Sequence, residues 1–290
     1  MKTILFSLFD NEIISNAIKK ECDFETGEII FRKFPDKETY VKINSDVKGR
    51  KIVFVASLIN PDVKILPLLF AAKTALDLGA KEIGLIAPYL VYMRQDKQFN
   101  PGEGITSKYF SSLLSQYFNW LITIDPHLHR FHSLNEIYSI PSFVLHAIDP
   151  IANWIKQHVN TPILIGPDQE SEQWVAKIAK KAEAPYMILT KTRKGDRNVE
   201  VSLPQFDQYK NRTPILIDDI ISTGRTMIET IKHLKSLQIE IPLCIGVHAV
   251  FSENAYDDLL NAGAGKVVTC NTIQHVSNAI DVSTLIIDIL

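Results

Sequence analysis

Several features that mark special classes of protein are missing from this sequence. It has three cysteines in 290 residues, and Cys22, Cys244 and Cys270 lie far apart. An odd number of widely spaced cysteines argues against a disulfide framework and a cysteine-rich zinc site, and it favours a reducing cytoplasm. No apolar run is long enough to span a membrane, and the formal net charge of −2 gives no indication of nucleic-acid binding. We therefore expect neither a membrane nor a nucleic acid as a partner.

Two further absences narrow the choice of function. The motif Gly-x-x-x-x-Gly-Lys-Ser/Thr does not occur, which disfavours an ordinary P-loop kinase. Residues 1–10 carry one early positive charge and a short apolar run, so they predict a first strand rather than a signal peptide. The remaining composition is that of an ordinary globular protein, with 46% hydrophobic and 22% charged residues, and the length suits about two domains.

Apolar runs alternate with helical patterns along the whole chain. Strands are predicted at residues 3–8, 51–57, 82–87, 120–124, 162–165, 185–190, 215–217 and 243–250. Helices are predicted at residues 11–20, 63–78, 105–117 and 171–182, and again from residue 227. A proline-bounded stretch at residues 141–150 separates two halves of similar plan. This alternation predicts α/β domains with mainly parallel sheets, at residues 1–145 and 146–290.

The stretch at residues 214–227 combines the residue types of a phosphate-binding turn. Asp218 and Asp219 stand where the strand at residues 215–217 should end, and a helical pattern follows. After the two aspartates and before the helical pattern come small hydroxyl residues and a glycine: Ser222, Thr223, Gly224 and Thr226. Glycine lets backbone N–H groups approach an anion at a helix N-terminus, and the two carboxylates can accept bonds from sugar hydroxyls or hold hydrated magnesium. For an isolated Asp-Asp pair we would favour a capped acidic turn, but not for the whole string.

Two clusters in the first half have the residue types of a nucleotide site. Phe34 can stack on a flat base while Asp36 and Glu38 accept hydrogen bonds from its amino group. A surface turn with Phe34 in the core is the better interpretation of that cluster taken alone. Arg94 and Gln95 follow the strand predicted at residues 82–87, where they could engage a polyphosphate. A solvated charged loop is equally compatible with the sequence there.

A histidine-rich segment follows the strand predicted at residues 120–124. It contains His127, His129 and His132, which raises the possibility of a metal site. Pro126 makes a regular strand doubtful, so two of these histidines need not face the same side. We prefer His127 alone as a ligand beside a magnesium–phosphate complex, and chance accounts well for the other two.

Two clusters in the second half also follow predicted strands. Asp168 is placed to bind a metal, although a helix N-cap with acidic first-turn residues is the alternative. Lys191 and Arg193 lie in a segment dense in cations, which could close over a substrate and bring both cations to a phosphoryl group. The alternative is a basic β-hairpin tip.

Taken in order, these six segments resemble the ribose-phosphate pyrophosphokinase family, whose sugar-phosphate loop is of the phosphoribosyltransferase type. The resemblance runs from Phe34 to Met227. It implies two similar phosphoribosyltransferase-type domains with the active site between them, Mg²⁺ as cofactor, ATP and ribose 5-phosphate as substrates, and at least a dimer. It assigns ATP binding to Phe34, Asp36, Glu38, Arg94 and Gln95, metal binding to His127 and Asp168, catalysis to Lys191 and Arg193, and ribose-5-phosphate binding to Asp218, Asp219, Ser222, Thr223, Gly224 and Thr226.

The resemblance implies transfer of the diphosphoryl group of Mg-ATP to the anomeric hydroxyl of ribose 5-phosphate. The sequence departs from the family pattern at Ser222, where an acid is common, and at Arg225, where glycine is usual. Residues 98–103 are similar to the archaeal-type branch of the family. Two alternatives stay open, namely a phosphoribosyltransferase that consumes phosphoribosyl diphosphate and a catalytically silent homologue that regulates an active synthetase.

Overall fold

A computed structural model describes residues 2–128, 130–194, 198–202 and 206–290, with the backbone alone for residues 190–194, 198–202, 206 and 207. Its strands are β1 (Ile4–Leu8), β2 (Glu25–Thr26), β3 (Ile29–Lys33), β4 (Thr39–Ile43), β5 (Lys51–Ala56), β6 (Glu82–Ala87), β7 (Trp120–Ile124), β8 (Ser142–Leu145), β9 (Pro162–Gly166), β10 (Tyr186–Ile188), β11 (Thr190–Lys194), β12 (Asn198–Ser202), β13 (Thr213–Ile221), β14 (Leu243–Ala249), β15 (Lys266–Cys270) and β16 (Asn278–Ile280). Its α-helices are α1 (Glu12–Cys22), α2 (Pro61–Asp77), α3 (Thr106–Ser115), α4 (Ile148–His158), α5 (Glu172–Ala182), α6 (Arg225–Ser236), α7 (Ala255–Ala262) and α8 (Ser283–Ile287).

The chain forms two compact units, Met1–His146 with Val282–Leu290, and Ala147–Asp281. The sheet of the first unit has the strand order β2-β1-β5-β6-β7-β8, and every pair in it is parallel. The second unit has the order β10-β9-β13-β14-β15-β16, again parallel throughout. The prediction of α/β architecture with mainly parallel sheets is therefore confirmed. The division of the chain at residues 145 and 146 stays a prediction.

The central strands are apolar along their length because helices cover both faces of a parallel sheet. In β5, residues 52–56 are all buried, and β6 is buried from residue 83 onward. Gly84 in β6 lies under the ring of Trp120, and an added Cβ would come within 1.9 Å of that ring. Glycine at this position thus lets the neighbouring strand's tryptophan pack flat against the sheet.

The structure has several elements that the sequence did not predict, among them β2, β15, β16, α4, α7 and α8. The antiparallel hairpin β3–β4 was not predicted, and the antiparallel pair β11–β12 was anticipated only by the alternative of a hairpin tip. Strand β8 lies inside the stretch interpreted as a separator. Strand β13 runs on to Ile221, so Asp218 and Asp219 lie within it rather than after it. The extension follows from pairing with β14, in which Asp218 lies opposite Gly246 and Ile221 opposite Ala249. No helix in the described part of the chain is long and apolar enough to span a bilayer.

Candidate functional site

The turn between β13 and α6 has the geometry of an anion cradle. Gly224 has a left-handed backbone, φ 64°, and immediately precedes the helix, which begins at Arg225. The Gly224 carbonyl accepts the first helical bond from the amide of Ile228 at 2.8 Å. Only glycine adopts this conformation at low cost, and an added Cβ would also meet Leu259 at 3.3 Å. Gly224 has no side chain to cap the helix, so the backbone N–H groups of the first turn can face an anion, helped by the helix dipole.

Carboxylates concentrate beside this turn. The Asp219 amide donates to Oδ1 of Asp218 at 2.9 Å, which holds the two acids in one tight arrangement. Asp168, just after β9, accepts from the Ser171 amide at 3.2 Å and caps the 3₁₀ helix Gln169–Ser171. Desolvation raises the pKa of Asp218 well above its ordinary value, and repulsion from Asp219 and Asp168 adds to the effect. Asp219 and Asp168 are thus close enough to disfavour the charge of Asp218.

This acidic group fits a magnesium ion that arrives with a substrate. Within the described residues, no set of three or more His, Cys, Asp or Glu side chains forms a ready-made metal site. Magnesium commonly binds through one or two carboxylates plus substrate phosphates, so a complete protein cage is not needed. A cation beside Asp168 and Asp218 would relieve the repulsion that raises the Asp218 pKa.

A second turn, after β14, packs against the phosphate-type turn. The hydroxyl oxygens of Ser222 and Ser252 lie 2.9 Å apart, and the Ser252 amide donates to the Ser222 carbonyl at 3.1 Å. Phe251 and Glu253, on either side of Ser252, have positive φ values of 35° and 58°. Such conformations are strained for residues with a side chain. The contact joins the turns that follow two neighbouring strands, and the two serines are 30 residues apart in sequence.

In the first unit, the loops after β6 and β7 are joined by an ion pair whose carboxylate is buried. The guanidinium of Arg130 donates from Nη1 to both carboxylate oxygens of Asp96, at 2.9 and 3.1 Å. The Asp96 side chain is 2% exposed and that of Arg130 is 41% exposed. Arg94 and Gln95 directly precede Asp96, so the ion pair holds the loop that carries these two predicted ATP contacts.

The tip of the loop after β6 is held by its own carboxylate. Glu103 Oε2 accepts from the amides of Phe99 and Asn100 at 2.8 and 2.9 Å, and Oε1 accepts from Asn100 Nδ2 at 2.6 Å. Bonds from Asn100 lower the pKa of Glu103. The Gln95 carbonyl accepts from the Ser107 amide at the start of α3, at 3.3 Å. The segment is therefore an exposed loop with its own internal hydrogen bonds, and the binding role of Arg94 and Gln95 stays a prediction.

The histidine-rich segment begins at a strained residue. Asp125 is buried and has a φ of 35°, and its Oδ1 lies 2.7 Å from Nδ1 of His146. His127 follows two residues later and is half-buried, whereas His132 is exposed. His129 lies outside the described residues. The two histidines thus differ in their exposure to solvent, and the metal role of His127 stays a prediction.

The Phe34 segment forms the turn of the β3–β4 hairpin. Phe34 is 39% exposed, and its ring meets Tyr40 edge-on and the guanidinium of Arg32 at 4.6 Å. The interpretation that placed Phe34 in the core is therefore wrong. Asp36 and Glu38 lie in the same turn, where Asp36 Oδ1 accepts from the Glu38 amide at 3.2 Å.

Lys191 and Arg193 lie on β11, which pairs with β12 so that Lys191 is opposite Val201 and Arg193 opposite Val199. Their side chains lie outside the described residues. The local backbone is one strand of an antiparallel pair, and the catalytic role of Lys191 and Arg193 stays a prediction.

In the second unit, Asp168 and the five residues Asp218, Asp219, Ser222, Thr223 and Gly224 lie around one sheet edge, with Thr226 in the first turn of α6. The sequence did not identify Asp96, Arg130 or Ser252. Asp96 and Arg130 stand within motifs that the sequence did indicate, whereas Ser252 carries no local signal.

Two family models match the chain. One is described as the N-terminal domain of ribose phosphate pyrophosphokinase and matches residues 3–117, and the other is described as the phosphoribosyl transferase domain and matches residues 133–285.

Individual relatives match over almost their full length. The ribose-phosphate pyrophosphokinase of Saccharolobus solfataricus is 31% identical over 266 residues, 90% of both chains. That of Methanobrevibacter smithii is 26% identical over 286 residues, 94% of this chain and 95% of the relative. The crystal structure of phosphoribosylpyrophosphate synthetase from Mycobacterium smegmatis aligns with a TM-score of 0.84 at 21% identity, covering 100% of this chain and 97% of that one. At that identity the structural likeness shows the fold.

Proposed function

Because the chain belongs to the ribose-phosphate pyrophosphokinase family, we propose that it transfers the diphosphoryl group of Mg-ATP to the anomeric hydroxyl of ribose 5-phosphate. The products are 5-phosphoribosyl 1-diphosphate and AMP. The relatives that match over 90% or more of their length are named for this activity. The observation that carries the proposal at the level of the site is the cradle between β13 and α6 with its adjacent acids.

The sugar phosphate is assigned to the second unit. Asp218 and Asp219 accept hydrogen bonds from the ribose hydroxyls through their carboxyl oxygens. The 5-phosphate lies at the start of α6, where the open N–H groups and the helix dipole favour negative charge. The groups around it are Ser222, Thr223, Gly224 and Thr226.

ATP is assigned to side chains of the first unit. Arg94 and Gln95 donate to the phosphates from a loop that Arg130 and Asp96 hold in place. Phe34 stacks on adenine while Asp36 and Glu38 accept from its amino group. The exposed position of Phe34 at a hairpin tip supports this role, because a ring buried in its own unit could not stack on a ligand.

Magnesium is assigned to Asp168, with His127 as a further candidate ligand. Carboxylate oxygen suits magnesium better than imidazole nitrogen does, so we give Asp168 the direct contact. When bound with ATP, the ion would neutralise charge that develops on the phosphate oxygens.

The protein's own contribution to the chemical step is positioning and positive charge. The anomeric oxygen forms a bond to the β-phosphorus, the bond from that phosphorus to the α–β bridging oxygen breaks, and AMP leaves with this oxygen. The hydroxyl proton is lost to solvent. Lys191 and Arg193 stabilise the charge spread over the transferred group, and no covalent enzyme intermediate is required.

We also propose that the protein is cytoplasmic and forms a homo-oligomer, at least a dimer. The three free cysteines support a reducing compartment. An apolar stripe on α2 supports self-association, because Val63, Leu66 and Phe70 recur at helical spacing and are 68%, 54% and 42% exposed.

The test is AMP release from ATP, magnesium and ribose 5-phosphate, with each omitted in turn. We expect AMP and phosphoribosyl diphosphate in equal amounts only when all three are present. Consumption of phosphoribosyl diphosphate together with a free base would instead identify a phosphoribosyltransferase. Absence of activity alone, with activity changes in a co-purified synthetase, would identify a regulatory homologue.

A further inference from the structure

We propose that Ser252 is a positioning residue of the sugar-phosphate cradle, acting through the hydroxyl of Ser222. This inference rests on the proposed function, because it adds a residue to the ribose-5-phosphate site. Ser252 stands in the turn that follows β14, the strand next to β13 in the sheet. The carboxyl ends of neighbouring parallel strands meet at one edge, so this turn lies beside the cradle.

Two hydrogen bonds connect Ser252 to the first residue of the cradle. The Ser252 amide donates to the Ser222 carbonyl at 3.1 Å, and the two hydroxyl oxygens lie 2.9 Å apart. In addition, the Phe251 amide donates to the Ile221 carbonyl at 2.8 Å. Backbone and side chain together therefore hold Ser222 from a second strand.

The hydroxyl pair leaves one hydrogen available for an anion. A hydroxyl has one donor and two acceptor positions, so within the pair one oxygen donates and the other accepts. A phosphate oxygen accepts only. With phosphate bound, Ser252 donates to Ser222 and the Ser222 hydroxyl donates to phosphate. Ser252 thus fixes the rotor of Ser222 in the direction that the anion needs.

The backbone around Ser252 shows that this position is held at a cost. Phe251 and Glu253 have positive φ values of 35° and 58°, which non-glycine residues rarely adopt. The ring of Phe251 is fixed by Tyr256 and His275, whose ring centroids lie 5.4 and 4.5 Å away. The surrounding packing therefore maintains a strained turn whose middle residue contacts the cradle.

The experiment measures ribose 5-phosphate binding by calorimetry, with steady-state kinetics on the same samples. Ser252→Ala should raise the dissociation constant and KM for ribose 5-phosphate by about two- to tenfold, the effect of one neutral hydrogen bond, while kcat changes little. Ser252→Thr keeps the hydroxyl and should restore both values. Ser236→Ala is the matched control, because its hydroxyl donates to the His233 carbonyl at the opposite end of α6, and it should bind like the wild type.

A double-mutant cycle tests the route through Ser222. Once Ser222 is alanine, removal of the Ser252 hydroxyl should have little further effect, because the two act as a unit. Ser252→Cys, close in size but a weak donor, replaces the alanine variant if that one does not fold. Unchanged binding in Ser252→Ala or Ser252→Cys, or effects that multiply in the double variant, would overturn the inference. Wild-type protein that binds ribose 5-phosphate with this dependence but releases no AMP would refute the proposed function and support the inference.

Discussion

Replacing Arg130 with methionine is expected to loosen two loops of the first unit together. The Asp96 carboxylate is 2% exposed and receives two bonds from Arg130, at 2.9 and 3.1 Å. Within the described part of the first unit, no other donor to this carboxylate is found. Methionine keeps most of the apolar stem and removes only the charge and the donors.

The expected loss follows from burial on one side of the pair and exposure on the other. Breaking a fully buried ion pair costs about 3–5 kcal/mol, because a buried charge is left without a partner. Here the Arg130 side chain is 41% exposed, so water can partly replace its donors. A loss of about 1.5–3 kcal/mol in local stability is therefore expected, the range for a hydrogen bond to a charged group.

Amide hydrogen exchange resolved by mass spectrometry measures this loss locally. Peptides that span residues 94–103 and 125–132 should exchange about ten- to a hundredfold faster in Arg130→Met. KM for ATP should rise with them, since Arg94 and Gln95 lie on the first of these loops. Peptides from α2 should be unaffected.

Two further variants decide whether the ion pair is the cause. Lys73→Met breaks the pair between Lys73 and Asp77, whose side chains are 59% and 64% exposed, and should change exchange by less than about fivefold. Combining Arg130→Met with Asp96→Leu should recover much of the loss, because both polar partners are then gone. The reasoning is refuted if Arg130→Met behaves like Lys73→Met, or if the double variant opens as readily as the single one.

Three other outcomes test separate parts of the account. Lys191→Ala and Arg193→Ala should each lower kcat by about 10²–10³-fold with a smaller effect on KM, and near-normal turnover in both would remove their catalytic assignment. The half-buried Cys22 should react with a thiol reagent in the native protein, faster at higher pH, while Cys244, whose pKa burial raises to about 12, should react only on unfolding. Burial lowers the pKa of His275, so the unfolded state takes up a proton before the folded state does as pH falls through about 6.5. The free energy of unfolding should therefore drop between about pH 7 and 5, and it should drop less in His275→Gln.

The sequence predicts well those strands that are marked by a run of apolar residues within the strand itself. Strands β6 and β7 have the predicted bounds because each is a continuous apolar run that a parallel sheet buries on both faces. Asp218 and Asp219 have low strand propensity, so the local pattern predicts that the strand ends before them. Pairing with β14 keeps them within β13, which runs on to Ile221. The pairing of two strands that are distant in sequence cannot be read from the residues of either strand alone.

The same limit applies to the candidate site. The glycine, hydroxyl and acidic residues of the cradle are close together in sequence, so their types and order suffice to predict a phosphate-binding turn there. Asp96 and Arg130 are 34 residues apart, and Ser222 and Ser252 are 30 apart. Their contacts depend on which strands are neighbours in the sheet, and a single sequence does not specify strand order.

The two units differ in the strength of the hydrogen bonds that connect the loops after their parallel strands. A loop that follows a parallel strand has no ladder partner of its own, so a ligand-binding loop must be held by something else. In the first unit a charged pair with a buried carboxylate joins the loops after β6 and β7, whereas in the second a neutral pair of half-buried hydroxyls joins those after β13 and β14. Charged hydrogen bonds are worth roughly twice as much as neutral ones. We therefore expect the loop that carries Arg94 to open less readily than the turn that carries Ser222.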